Sequence, residues 1–332
     1  MINMMNKIKL ILEKIAKIYS PSGEECELAN FLVDYLSKLG YNPKKDEVGN
    51  VILNPRSPFL IATHMDTIKK VAEIRINDVS AYGTGVCDAK GSIAAMLYAL
   101  EQIDELKYGI AFLVDEEEGG TGSKYLLRNL KPDYVIVMEP TSLKIANKHY
   151  GSFELLIRIY DDSVHGAYFK EVITPVDMLL EMIQKLKTLN LDFFIQEIKC
   201  GSDIYATPSD CIVRLDFPVK PEEEVKNLKK LVIYTIKSCV RKVDIKILEE
   251  CNGFIENNIP KHLVNAIKSV GLSPEFTEML SWTDGINFKN AGCKVVIWGP
   301  GDLKLCHTKR EKISIKEILI AARILQKLND FL

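Results

Sequence analysis

The sequence lacks the cysteine and charge patterns that identify several classes of protein. Its eight cysteines include no Cys-x-x-Cys pair and follow no regular spacing. Because a chain of 332 residues can build a full core without disulfide staples, we expect reduced thiols and a cytoplasmic location. Its 43 basic and 45 acidic residues leave a formal charge of −2, so no global field favours nucleic acid or an anionic membrane.

Long apolar runs and phosphate-binding motifs are also missing. The first 20 residues intersperse four lysines with apolar residues at helical spacing, which predicts an amphipathic helix and not a signal peptide. The segment GTGVCDAKGS fails the Walker A pattern, because Lys90 precedes Gly91. Hydrophobic residues at 47% and charged residues at 27% are typical of a globular protein.

Predicted strands and helices alternate along the first half of the chain. Ser22 and Glu25 have the spacing of a capping box and predict the start of a second helix that ends near Gly40. Buried strands and intervening helices are then predicted at 59–63, 92–106, 108–114, 123–129 and 134–138. This alternation predicts an α/β fold built on a mixed sheet with helical cover.

The pattern changes after residue 153 and returns near residue 257. Strands and helices are predicted in alternation at 153–160, 175–189, 211–217, 221–239 and 243–248, which indicates a smaller α+β module. We therefore predict a catalytic domain of residues 1–152 and 257–332, interrupted by an inserted domain at 153–256. The half-covered sheet of this insertion has an edge free to pair with a second copy, which predicts a homodimer.

Acidic and histidine side chains follow several predicted strands. Asp88 lies between a glycine-rich turn and a helix, where a lone acid is usually a helix cap. His64 comes at the end of one buried strand, and Glu139 comes at the end of another. Because sites in such sheets form beyond the carboxyl ends of strands, these residues can meet at one metal site.

The acidic run of residues 115–118 admits two interpretations. It is either a solvated surface turn or a cluster whose mutual repulsion a bound cation relieves. Adjacent glutamates can also divide their tasks, since one can coordinate a metal while its neighbour takes a proton from water.

Seven segments taken together resemble the dinuclear metal aminoacylase and carboxypeptidase family, over nearly the whole chain. They are HMD (64–66), GTGVCDAKG (83–91), DEEEGGTGS (115–123), MEPT (138–141), VHGA (164–167), TDG (283–285) and CHTKRE (306–311). The family includes acetylornithine deacetylase, succinyl-diaminopimelate desuccinylase and hydrolases that release lysine or ornithine from an acidic carrier protein.

The resemblance implies a role for each matching residue. It implies two divalent metal ions, most commonly zinc, with cobalt or manganese as alternatives, bridged by Asp88. The other implied ligands are His64 and Glu139 for one metal, and Glu117 and His307 for the other. It also implies a cis peptide bond after Asp88.

Four further assignments complete the set of residues that the resemblance implies. Asp66 would orient His64, and Glu116 would be the general acid/base. His165 would reach across a dimer from the inserted lid domain to polarise the scissile carbonyl. Substrate contacts are assigned to Thr283, Asp284 and Gly285.

Two positions depart from the family pattern and leave the substrate open. Relatives that bind an amino-acid carboxylate carry Asn and Arg where this chain has Tyr205 and Phe217. The leading interpretation is an amidohydrolase that uses metal-activated water to cleave an acetyl, succinyl or carrier-linked γ-glutamyl amide from an amino acid, in lysine- or arginine-type biosynthesis. The alternatives are a dipeptidase, aminopeptidase or carboxypeptidase with a peptide substrate, or a non-catalytic metal-containing binding protein.

Overall fold

The computed structural model of the chain describes residues 2–332, which form two compact units. The first unit contains the chain up to Lys148 together with residues 256–279 and 283–332. The second contains residues 149–255 and 280–282. The catalytic, lid and dimerisation roles assigned to these parts stay predictions.

The helices and strands are numbered in chain order. The helices are α1 (Ile2–Ala16), α2 (Cys26–Lys38), α3 (Lys90–Leu100), α4 (Thr121–Leu126), α5 (Pro175–Thr188), α6 (Val225–Cys239), α7 (Lys261–Ser269), α8 (Gly285–Asn290) and α9 (Ile315–Phe331). The strands are β1 (Lys44–Lys45), β2 (Val51–Leu53), β3 (Phe59–His64), β4 (Arg75–Ile76), β5 (Ser80–Tyr82), β6 (Gly109–Leu113), β7 (Tyr134–Val137), β8 (Ile145–His149), β9 (Gly151–Tyr160), β10 (Phe194–Cys200), β11 (Asp210–Val219), β12 (Val243–Cys251), β13 (Phe254–Ile255), β14 (Phe276–Met279), β15 (Lys294–Ile297) and β16 (Lys312–Ser314). Among residues 2–332, no helix combines the length and apolar character that a membrane span requires.

The large sheet of the first unit is mixed, as the sequence predicts. Its strands follow the order β1-β2-β6-β3-β7-β15-β8, and β14 pairs with β8. The central strands β6, β3, β7 and β15 are parallel, whereas β2 and β8 flank them in the antiparallel sense. Every residue of β3 and β6 is buried, which is typical of parallel strands covered on both faces.

Helix α3 is buried along its whole length and ends earlier than predicted. Its residues are buried on every side, so apolar periodicity does not mark its boundaries. The predicted segment 92–106 continues past Leu100, where the helix ends. The carbonyl groups of Leu100 and Ile103 accept hydrogen bonds from the Tyr41 hydroxyl at 3.0 and 2.8 Å. A side chain from another segment therefore supplies a donor for carbonyl groups at the end of the helix.

The second unit is an antiparallel sheet with strand order β10-β11-β9-β12. Burial alternates along β9 and β11, because one face of the sheet packs against α5 and α6. Strand β10 was not predicted. It lies at an edge of the sheet and is mostly exposed, so its sequence lacks the alternation that identified its neighbours.

The prediction of reduced thiols is wrong for one pair of cysteines. Cys200 and Cys211 lie opposite each other on β10 and β11 and are joined by a disulfide. Sequence spacing could not indicate this pair, because the pairing register of two strands brings the sulfur atoms together. The other six cysteines are free.

Candidate metal centre

Three neighbouring strands end at the same edge of the large sheet and carry four of the predicted site residues. His64 is the last residue of β3, Glu116 and Glu117 follow β6, and Glu139 follows β7. Because β6, β3 and β7 are parallel neighbours, their carboxyl ends lie side by side. The fold therefore brings together side chains that come from separate segments of the sequence.

A small three-stranded sheet positions the loops of Asp88 and His307. Strand β16 pairs with β5, so the loop leaving β5 lies beside the loop entering β16. Glu311 fastens the two loops, because its Oε1 accepts hydrogen bonds from the N–H groups of Cys87 at 3.0 Å and Asp88 at 3.3 Å. Its carbonyl oxygen also accepts from Gly83 at 3.1 Å. No role for Glu311 was predicted, since its side-chain partners lie more than 200 residues away in the chain.

The Asp88 loop needs glycine where its backbone turns sharply. Gly85 has a φ of +80°, and a Cβ at this position would collide with Cγ2 of Thr67. The peptide bond between Asp88 and Ala89 is cis, which confirms the isomer that the family resemblance implies.

Asp88 lies between the two histidines and contacts each through a different oxygen. Its Oδ1 is 3.0 Å from His64 Nε2, and its Oδ2 is 3.4 Å from His307 Nε2. His64 Nε2 is also 3.7 Å from Glu139 Oε2, whereas His307 Nε2 is 3.1 Å from Glu117 Oε1. The side chains thus form two groups that share Asp88, and their assignment as ligands of two metal ions stays a prediction.

Burial and mutual charge shift the pKa of every group in this cluster. Burial alone would raise the pKa of Asp88, but hydrogen bonds from His307 and His64 hold it below its usual range. Burial raises the pKa of Glu139 to about 7 and, with neighbouring carboxylates, raises the pKa of Glu116 well above its usual value. The hydrogen bond to Asp88 raises the pKa of His307 to about 10. The buried carboxylates therefore repel one another, and a bound cation would reduce this repulsion.

The donor atoms present fit divalent metal ions. Within residues 2–332, Oε1 of Glu139 is buried without a hydrogen-bond partner, which costs free energy unless another group satisfies it. His64, Asp88 and Glu117 each offer a ligand atom, and these atoms lie within 4.8 Å of one another. Imidazole nitrogen and carboxylate oxygen together suit zinc, cobalt or manganese.

Asp66 joins the end of β3 to the glutamate loop. Its carboxylate accepts hydrogen bonds from the N–H groups of Glu116 at 3.1 Å and Glu117 at 2.9 Å, and from the hydroxyl of Ser22 at 2.7 Å. His64 Nδ1 is 2.9 Å from the backbone carbonyl oxygen of Asp66 and 3.4 Å from its Oδ1. One residue therefore supports both the histidine and the two adjacent glutamates.

The predicted capping box at the start of α2 is wrong. The helix begins at Cys26, and its N-cap Glu25 makes no side-chain capping bond. Instead, Oε1 of Glu25 accepts a hydrogen bond from the N–H of Asp115 at 3.0 Å, while Ser22 donates to Asp66. The spacing of these side chains suits a cap, but both side chains form hydrogen bonds with distant loops and not with the first turn of the helix.

The segment with the predicted substrate contacts is buried and consists of Thr283, Asp284 and Gly285. Contact of these residues with substrate stays a prediction. Asp284 is 1% exposed, and its carboxylate accepts a hydrogen bond from the hydroxyl of Ser123. Ser123 also accepts from Asn287 Nδ2 at 2.8 Å, and Thr283 Oγ1 accepts from the N–H of Gly285 at 3.0 Å. This network, which includes the unpredicted Ser123, supports the segment ahead of α8.

The remaining predicted residues belong to the second unit. His165 is the N-cap of a short 3₁₀ turn, and its side chain accepts a hydrogen bond from the N–H of Ala167. Phe217 is fully buried in the core of that unit, whereas Arg214 pairs with Glu154 on the opposite face of the sheet. Because side chains alternate between the two faces of a strand, Arg214 cannot simply replace the arginine that the family pattern has at the position of Phe217.

Relatives of known activity match almost the full length of the chain. A LysW-lysine/LysW-ornithine hydrolase of Sulfurisphaera tokodaii is 30% identical over 325 residues, covering 95% of this chain and 92% of the relative. An enzyme of the same description from Saccharolobus solfataricus is 25% identical over 327 residues, covering 96% and 93%.

Solved structures of peptidases share the fold. A tripeptidase from Staphylococcus aureus superposes with a TM-score of 0.81 at 20% identity, covering 98% of both chains. An M20 family metallo-carboxypeptidase from Sulfolobus solfataricus gives the same TM-score at 16% identity, again with 98% of both chains covered. Residues 60–330 match the description Peptidase family M20/M25/M40. The chain therefore belongs to peptidase family M20/M25/M40, as the resemblance of its motifs implies, and is a hydrolase.

Proposed function

We propose that this hydrolase releases lysine or ornithine from a carrier protein by cleaving the amide that joins the amino acid to an acyl group of the carrier. The observation that carries the proposal is the placement of Asp88 between His64 and His307, with a glutamate beside each histidine. The substrate is inferred from the two hydrolases described above, because this chain covers 92% and 93% of their length. Lysine- or arginine-type biosynthesis is the corresponding pathway.

Two divalent metal ions are proposed at the shared cluster. His64 and Glu139 would hold one ion, Glu117 and His307 would hold the other, and Asp88 would bridge them. We infer zinc, with cobalt or manganese as substitutes, because the ligands mix imidazole and carboxylate donors. When bound, these ions supply Lewis acidity that polarises the amide carbonyl and lowers the pKa of water.

Glu116 is the proposed general acid/base. Its raised pKa suits a group that takes a proton from water and then gives it to the departing amine. The bond from its backbone N–H to Asp66 fixes the loop, which leaves the Glu116 side chain free for proton transfer while Glu117 pairs with His307.

His165 is proposed to donate a hydrogen bond to the scissile carbonyl oxygen, from one protomer of a homodimer to the other. Support for the dimer comes from the sheet of the second unit, whose edge strands β10 and β12 have pairing groups available. Light scattering tests this assembly, and a monomer under turnover conditions would contradict it.

The function is tested by supplying the purified, metal-reconstituted enzyme with three substrate classes. These are a γ-glutamyl-linked lysine or ornithine on its carrier protein, the same amino acids with an acetyl or succinyl group, and free dipeptides. We expect release of the amino acid to be fastest from the carrier protein. Preference for dipeptides would favour a peptidase, and no hydrolysis of any class would favour a metal-containing binding protein.

A further inference from the structure

Two exposed tyrosines flank the imidazole of His165 within the second unit. The ring of Tyr205 is 5.3 Å from the His165 ring, centroid to centroid, at an interplanar angle of 81°. The ring of Tyr168 is 6.5 Å away at 71°. Tyr205 is 74% exposed, so its ring contributes little to the core of this unit. Burial of the Tyr205 ring therefore does not account for its contact with His165.

The backbone segments that carry His165 and Tyr205 are joined directly. His165 and Ala206 form an isolated antiparallel bridge, and the N–H of Gly166 donates to the carbonyl of Tyr205 at 3.0 Å. The N–H of Thr207 donates to the carbonyl of residue 164 at 2.8 Å. These hydrogen bonds fix the position of one segment with respect to the other.

Gly166 allows the Tyr205 ring to approach the backbone beside His165. A Cβ at residue 166 would lie 3.1 Å from three carbon atoms of that ring, closer than ordinary van der Waals contact. The close approach therefore depends on a residue without a side chain.

The hydrogen bonding of His165 determines which ring nitrogen carries the proton when the side chain is neutral. Its Nδ1 accepts a hydrogen bond from the N–H of Ala167 at 3.3 Å. The neutral imidazole therefore carries its proton on Nε2, which makes Nε2 a donor. This is the tautomer needed by a group that donates to a developing oxyanion.

We propose that Tyr205 is a positioning residue that holds the His165 ring so that its Nε2–H group faces the substrate. The edge-to-face contact limits rotation of the imidazole about its terminal torsion, and the bond from Ala167 sets the tautomer. This inference rests on the proposed role of His165 in amide hydrolysis. It assigns a purpose to a tyrosine at a position where the family pattern has asparagine.

The test compares kcat and KM for wild type, Tyr205→Ala, Tyr205→Phe and Gly166→Ala. Misplacing the imidazole by about 1 Å should lower kcat by about 10- to 100-fold in Tyr205→Ala, with KM changed less than about threefold. Tyr205→Phe keeps the ring and should retain most of the rate. Gly166→Ala should lower kcat as well, because its methyl group displaces the ring. Tyr234→Ala is the matched control, since Tyr234 is 75% exposed on α6 of the same unit and should leave kcat unchanged.

Combining substitutions distinguishes positioning from an independent contact. In a His165→Ala background, Tyr205→Ala should cause no further loss of kcat, because both changes remove the same interaction. An additional 10-fold or greater loss in this background would overturn the proposal, as would unchanged kcat in Tyr205→Ala.

Nitrogen-15 NMR of His165 provides a readout that does not need substrate. We expect the wild-type ring to show a protonated Nε2, and Tyr205→Ala to show a mixture of tautomers or line broadening from ring rotation. An unchanged spectrum in Tyr205→Ala would contradict the proposal. If the wild-type enzyme hydrolyses no amide, the proposed function fails, while the NMR comparison still tests the effect of Tyr205 on His165.

Discussion

Ser22 donates a hydrogen bond of 2.7 Å to the carboxylate of Asp66, which lies 44 residues further along the chain. The same carboxylate accepts the backbone N–H groups of Glu116 and Glu117. The segment before α2 is thereby connected to the loop that carries the proposed base. Second-layer contacts of this kind control the orientation of the residues that contact metal and substrate.

Replacing Ser22 with alanine should lower both kcat/KM and stability. The carboxylate of Asp66 would lose one of its three donors, so the glutamate loop would be held less firmly. We expect kcat/KM to fall by about 3- to 10-fold and the free energy of unfolding to fall by about 1 kcal/mol. Steady-state kinetics and urea denaturation measure the two effects.

Ser269→Ala is the control for that substitution. The hydroxyl of Ser269 donates to the carbonyl of Ala266 at the end of α7, away from the glutamate loop. It should change stability slightly and leave kcat/KM at the wild-type value. A Ser22→Ala variant with full activity and a shorter α2 would instead support a capping role.

Exchanging Glu116 and Glu117 for glutamine should give different defects. Glu116→Gln keeps the size of the side chain but cannot accept a proton, so kcat should fall by about 10² to 10⁴ with full metal content. Glu117→Gln should lower metal content, because its carboxylate contacts His307. Kinetics and elemental analysis of both variants test the assignment, and reversed results would exchange the two roles.

His64→Ala and His307→Ala should each lose about one of two metal equivalents after reconstitution. The reason is that each histidine contacts a different oxygen of Asp88. Asp88→Asn should weaken the binding of both ions, since it removes the negative charge of the carboxylate that the two groups share. Elemental analysis after gel filtration measures metal content. Loss of one equivalent in Asp88→Asn and both in either histidine variant would contradict the arrangement.

His149 should make stability depend on pH. It is fully buried, and burial lowers its pKa from 6.5 to about 4. Between these pH values the unfolded chain binds a proton that the folded chain does not. The free energy of unfolding should therefore decrease as the pH is lowered, by at most about 1.4 kcal/mol per pH unit from this residue.

Urea denaturation from pH 7 to pH 4 measures that dependence. His149→Gln should flatten the curve across this window, because it removes the titrating group. An equal slope in His149→Gln and wild type would exclude the effect.

The sequence by itself was sufficient to predict the mixed sheet and the segments that carry the proposed ligands. Short apolar runs followed by His64, Glu117 and Glu139 carry enough local information, because parallel strands end at a common edge. The order of the motifs along the chain is also sufficient to indicate the family. These features depend on residues close together in the chain or on the order of segments.

Only the tertiary structure determined how those segments are supported. Ser22 and Glu25 have the spacing of a cap, yet they bind Asp66 and Asp115 across the fold. Glu311 acts on the Asp88 loop from more than 200 residues away. The disulfide of Cys200 likewise depends on the pairing register of an edge strand that has no clear pattern. Such contacts depend on which loops the packed helices and strands bring together. Local sequence does not indicate them, because the contacting residues are far apart in the chain.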